Sequence, residues 1–185
     1  MEQDGFADAM RAGIVSLPQD LKAMLRIIED PELDDAGRLL ACGALLHVLS
    51  GKNAIPGVKG TLGLVDDVLV LRLTLERIAR TSPEVAESHR EDDPETLGPW
   101  AEQLVASRAF LKERFAVVER ALEGLPKISY LGHSALECAR DQEAATWLYD
   151  SVLEAIVEKF EIGRDEAARA VKNVHEIHAR LGERA

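Results

Sequence analysis

The chain has 185 residues, with 33 acidic against 22 basic side chains, a formal net charge of −11, 46% hydrophobic residues and 4% aromatic ones. One compact domain or two small ones fits that length, and the apolar fraction is that of a folded protein rather than a disordered one. The acidity speaks against nucleic-acid binding, and against adhesion to an anionic membrane by charge alone, because both need clustered Lys and Arg.

In chain order, the acidic N-terminus lacks a basic run followed by an apolar stretch. It does not read as a signal peptide, so the cytoplasm is the expected compartment. After Pro18, Leu21, Met24, Leu25 and Ile28 recur at helical spacing up to a turn at Asp30-Pro31, where Asp30 reads as an N-cap or a turn residue. Residues 39–49 form a strongly apolar helix that ends at Ser50-Gly51, with Gly51 suited to the left-handed C′ position. An irregular segment with Pro56, Gly57 and Gly60 follows. Helix resumes near Thr61, a candidate N-cap, and runs to about Arg80. Its apolar core, residues 62–75, is interrupted by Asp66, Asp67 and Arg72, and is too short for the ~20 apolar residues of a bilayer crossing. Ser82-Pro83 reads as an N-cap and first helical residue. Residues 89–95 (HREDDPE) are the most polar stretch and the best linker candidate.

In the second half, Leu104, Val105, Ala109, Leu111, Phe115, Val118 and Leu122 mark one long amphipathic helix that ends at Gly124-Leu125-Pro126. Residues 127–134 read as a loop. Residues 136–160 read as helix with Trp147, Leu148, Val152, Ile156 and Phe160 on one face. Residues 165–181 form a last helix with Ala168, Val171, Val174, Ile177 and Leu181 inward. No sustained alternation of period two appears. The expectation is an all-α helical bundle of six to eight helices, with a unit of residues 1–90 and a second of residues 95–185 packed on it as one globule.

The residues with chemistry to offer are few. Asp66 and Asp67 are the sharpest candidates, because a carboxylate in an apolar helix needs a partner. Lys52 and Arg72 are the cations expected to serve them. Consecutive helical residues point about 100° apart, so the two acids are not expected to chelate one ion in a simple way. His47, in the aliphatic helix, reads as a satisfied and partly buried histidine. His175 and His178, at i and i+3, come nearest to a metal pair, but no metal site and no cofactor is expected. His133 beside Ser134 lacks an orienting group and a Gly-x-Ser-x-Gly turn for nucleophilic chemistry. Cys42 and Cys138, in aliphatic surroundings, read as buried free thiols.

The order Asp30-Pro31, aliphatic helix, Ile55-Pro56, then Leu62-Gly63-Leu64-Val65-Asp66-Asp67 resembles the YkvA-like (DUF1232) family over residues 17–82. The family's turn reads Pro-Ile-Asp-Leu-Ile-Pro-Asp. Here residues 51–57 read Gly-Lys-Asn-Ala-Ile-Pro-Gly, so both turn carboxylates are missing. The resemblance implies a helical fold element and an association with membranes rather than a reaction. The expected function is a non-enzymatic partner-binding or scaffold role, through a protein partner or a second copy of the chain. The charge adds a pointer to that partner's chemistry: residues 61–100 carry nine acids and four bases, which suits a cationic surface. The alternatives are peripheral membrane binding through residues 55–75 and metal-assisted hydrolysis using Asp66 and Asp67.

Overall fold

In the computed structural model, which describes residues 2–182, the chain enters on a 28-residue helix, α1 (Glu2–Glu29). Phe6, Met10, Ile14, Leu17 and Leu21 recur every three or four residues and are buried along one face. The sequence reading starts this helix after Pro18, but the helix runs through it. A mid-helix proline forfeits one backbone hydrogen bond and costs roughly 3 kcal/mol. Five buried large side chains, at about 1.5–3 kcal/mol each, outweigh that.

Residues 30–34 form a turn in which Asp30 Oδ1 accepts the Glu32 N–H at 2.9 Å. Asp30 is thus the turn residue, and Asp34 is the N-cap of α2 (Asp35–Ser50), its side chain accepting the Gly37 N–H. Every residue from 40 to 49 is buried, so beyond its exposed first turn α2 has no solvent face and lies at the centre of the bundle. Gly51 (φ 63°) closes it in the left-handed conformation, as its position in the sequence suggests. Residues 52–59 and a 3₁₀ turn (Gly60–Leu62) lead into α3 (Gly63–Thr81), without a side-chain cap from Thr61.

Then follow α4 (Pro83–Asp92) and the one-turn α5 (Pro94–Leu97). Ser82 takes the N-cap position of α4, but its hydroxyl donates to Asp34 Oδ2 at 2.8 Å rather than capping the helix. The expected linker of residues 89–95 is instead ordered helix ends. His89 Nε2 lies 2.9 Å from Asp30 Oδ2, and Asp93 caps α5 while pairing with Arg26. Polar composition here reflects side chains that tie α4 and α5 back to α1.

The expected long helix of the second half is broken. α6 (Trp100–Leu111) stops where Lys112 takes φ 52°, and a 3₁₀ turn (Lys112–Arg114) precedes α7 (Phe115–Ala121) and a second 3₁₀ segment (Leu122–Lys127). Val105, 68% exposed, and Ala109, at the surface, lie off the face of α6 that Leu104 and Leu111 bury. The loop of residues 127–134 contains a two-residue antiparallel ladder, β1 (Ser129–Tyr130) with β2 (His133–Ser134). Leu131 and Gly132 connect the strands with positive φ at both positions, as tight hairpins require.

α8 (Ala135–Arg140) carries a capping box between Ser134 and Glu137. Asp141 ends it and caps α9 (Gln142–Ala155), which continues into a π turn (Ile156–Phe160). α10 (Arg164–Ala170) and α11 (His175–Gly182) complete the fold. The expected last helix of residues 165–181 is interrupted by a turn at 171–174; Val171, Val174, Ile177 and Leu181 are buried as expected, whereas Ala168 is exposed and Ala167 and Ala170 face inward.

α1 packs on α3, α6 and α10, and α2 packs on α3, α8 and α9. The buried apolar residues form one cluster running from Phe6 to Leu181. Two helices approach their neighbours closely. A Cβ on Gly13 would lie 2.5 Å from Val68 Cγ1, and one on Gly43 only 2.2 Å from the Leu125 carbonyl oxygen.

Candidate functional site

The first turns of α3 meet the C-terminal half of α2, and this contact holds a cluster of three ionisable side chains. Asp66 is fully buried, with His47 6% and Asp67 7% exposed. His47 Nε2 lies 2.9 Å from Asp66 Oδ2. The other oxygen, Asp66 Oδ1, accepts the Ile55 N–H at 2.7 Å. Asp66 therefore joins α2, α3 and the segment between them.

Asp67 differs. Among the described residues its carboxyl makes no hydrogen bond or ion pair. Burial pushes its pKa well above the ordinary carboxylate range, and the neighbouring Asp66 charge adds to the rise. One ligand atom each from His47, Asp66 and Asp67 lies within 4.8 Å of the other two, the one such convergence of three or more His, Cys, Asp or Glu side chains among the described residues. Consecutive helical residues point about 100° apart, yet a carboxylate oxygen of each acid lies within 4.8 Å of the other and of a His47 ring nitrogen.

Among the described residues neither expected cation pairs with Asp66 or Asp67. Arg72, 1% exposed, donates Nη2 to Asp20 Oδ2 at 2.7 Å and to Ser16 Oγ at 3.1 Å, and Nε to Gln103 Oε1 at 2.6 Å. Six residues beyond Asp66 on α3, it faces α1 and α6 instead of the acid cluster. Burial raises the Asp20 pKa, against the opposing pull of Arg72 and Ser16. Asp20 Oδ1 and Arg72 Nη1 are buried without a partner. Lys52 is exposed, and its backbone N–H donates to Ser50 Oγ.

His175 is exposed, and the His178 ring meets the Arg114 guanidinium and tilts against Phe110 at 5.6 Å, so this pair is held by packing. His133 stacks on Trp147 at 3.9 Å while the Ser134 hydroxyl serves the capping box, which leaves no nucleophile–base pair. Cys42 and Cys138 are buried free thiols, raised by burial to about 12 and about 11, which keeps them protonated and unreactive. A cleft of about 570 Å³ opens between α1, α2, α8 and α9, floored by Leu25, Ile28 and Leu148.

Sequence reasoning missed His47 as a member of the site. Nineteen residues separate it from Asp66, and no local spacing links them. No helix among the described residues is long and apolar enough to cross a membrane. The chain matches no protein-family model, no curated protein and no solved structure.

Proposed function

We propose that the protein is a helical binding module whose ligand is a metal cation held by His47, Asp66 and Asp67. The observation that carries this reading is Asp67, a carboxyl 7% exposed with no partner among the described residues, beside a second buried carboxyl. Burying an unpaired carboxylate costs several kcal/mol, and like charges side by side raise that cost. A cation between the two acids removes both penalties.

The burial of all three residues supports binding over turnover. An ion fits among side chains this close, whereas an organic substrate has no approach to Asp66 at 0% exposure. Peripheral membrane binding through residues 55–75 gains no support, since Ile55, Val58 and every residue from 65 to 75 are already buried. Calorimetric titration of chelator-stripped protein with divalent cations tests the proposal. One equivalent bound by the wild type and none by Asp67→Asn supports it, and no stoichiometric binding by the wild type refutes it.

We propose also that residues 17–82 are a divergent YkvA-like unit. The succession of a helix ended at Asp30-Pro31, a buried helix, an Ile55-Pro56 turn and the Asp66-Asp67 helix supports this reading. In that case the family's expected acidic turn is replaced here by His47 as the third member of the cluster. Grafting Asp at Asn53 and Gly57 tests that substitution. Tighter cation binding supports it, and unchanged or weaker binding counts against it.

A further inference from the structure

Given a cation at this cluster, the donors themselves indicate its class. One imidazole and two carboxylates converge. Such a mixed set suits zinc and its first-row neighbours. Calcium takes six to eight oxygens, and magnesium prefers near-octahedral oxygen with several waters retained. The spacing agrees with the chemistry. One atom from each side chain lies within 4.8 Å of the other two, and His47 Nε2 and Asp66 Oδ2 share a hydrogen bond of 2.9 Å whose proton a bound ion displaces.

The second oxygen of Asp66 gives the ion a mechanical consequence. While Oδ2 faces His47, Oδ1 holds the Ile55 N–H at 2.7 Å. Metal ligands are oriented by such outer hydrogen bonds, and they orient their partners in return. Apart from Ile55, residues 52–59 are secured by few polar contacts. Asn53 Nδ2 donates to the Val58 carbonyl at 3.0 Å, and the Val58 N–H reaches the Ile55 carbonyl at 3.5 Å. Both bonds lie within the segment, and besides Ile55 only its first residue is tied to a helix among the described residues, by the Lys52 N–H donating to Ser50 Oγ at the end of α2. Ile55, fully buried, and Val58 are the apolar anchors.

We infer that the His47–Asp66–Asp67 cluster takes a zinc-class transition ion in preference to magnesium or calcium, and that the bound ion clamps residues 52–59 onto the bundle through Asp66 and the Ile55 amide. This rests on the cation reading above. A three-residue donor set leaves a fourth coordination position, which a water fills. Metal affinity here is coupled to order in the segment, because fixing Asp66 fixes the acceptor that Ile55 uses.

Hydrogen exchange on the full chain, stripped with chelator and then supplied with Zn²⁺, Mg²⁺ or Ca²⁺, tests the inference together with calorimetry on the same samples. Zinc should bind at one equivalent and slow exchange across residues 53–58 at least tenfold. Millimolar magnesium or calcium should leave exchange unchanged. Asp67→Asn should keep the helical spectrum yet lose both the binding and the protection, and His47→Gln provides a second variant should the first fold poorly. Equal protection by magnesium or calcium overturns the ion class while leaving the cation reading in place. Stoichiometric zinc binding without protection overturns the clamp. Wild-type affinity in both variants places the ion elsewhere and overturns the site. Absence of any stoichiometric binding overturns the cation reading itself.

Discussion

Replacing Arg72 with Met removes a guanidinium that makes bonds of 2.7 Å to Asp20, 3.1 Å to Ser16 and 2.6 Å to Gln103. Methionine fills much of the same volume, so the chief loss is the charge. What remains is Asp20, its side chain 1% exposed, with only the Ser16 hydroxyl to answer it. Breaking a buried pair from one side costs about 3–5 kcal/mol. At about 2–4 °C per kcal/mol for a chain of this size, melting falls by roughly 6–20 °C. The double variant Asp20→Leu/Arg72→Met removes both charges. The native pair already leaves Asp20 Oδ1 and Arg72 Nη1 without partners, so its net worth is modest. The double change should then cost only the unpaired Gln103 oxygen, about 1–3 kcal/mol. pH gives a second handle. The folded-state pKa of Asp20 is raised, and without Arg72 it has less to hold it down. The folded state then binds the proton more tightly than the unfolded one, so the Arg72→Met deficit should shrink as pH falls towards 4. Urea and thermal unfolding followed by circular dichroism read all three. A deficit below 1 kcal/mol for Arg72→Met refutes the reasoning, as does a double variant as unstable as the two single variants summed.

Three further outcomes follow from the same geometry. With chelator present, the raised pKa of Asp67 makes protonation favour the fold. Wild-type stability should therefore decline as pH rises above about 4, and Asp67→Asn should flatten that decline and be the more stable at pH 8; parallel pH–stability curves for the two proteins would count against it. Gly43→Ala sets a Cβ 2.2 Å from a backbone oxygen; overpacking of about 1–3 kcal/mol should exceed the roughly 1 kcal/mol gain in helix propensity, whereas Gly5→Ala, with nothing within 4 Å, should keep that gain, as denaturant midpoints will show. Asp34→Ala should cost about 1–2 kcal/mol near neutral pH by losing the cap to Gly37 and the Ser82 bond. Since bonds from Gly37 and Ser82 hold the Asp34 pKa down, its contribution is present above the ordinary value of 3.8 and is lost as pH falls through the lowered one, so the two proteins should converge in strong acid.

Periodicity and punctuation carried much of the fold. The buried stripe of α2, the Gly51 stop and Pro83 at the start of α4 all follow from local rules. The errors have physical causes. Pro18 reads as a boundary only until the Phe6–Met10–Ile14 stripe before it is weighed. Lys112 and Asp141 break helices whose apolar spacing runs on, because a positive φ and a side-chain cap act at single residues. The acid pair at 66–67 stands out in the sequence, but its surroundings do not. Arg72 is near it in the chain and bonded to α1 in space, while His47 lies on another helix. Pairings of that kind are decided by helix packing, which no spacing in one chain encodes.

The position of α1 has a consequence for synthesis. Its buried face is covered by elements as distant as α6 and α10 (Arg164–Ala170). At translation rates of about 5–20 residues per second, the final cover emerges roughly 7–28 s after α1 is complete. Throughout that interval Phe6, Met10 and Ile14 lack part of their native shelter. Transiently exposed apolar surface is prone to aggregation, so the helices that cover α1 last also end the interval of greatest risk.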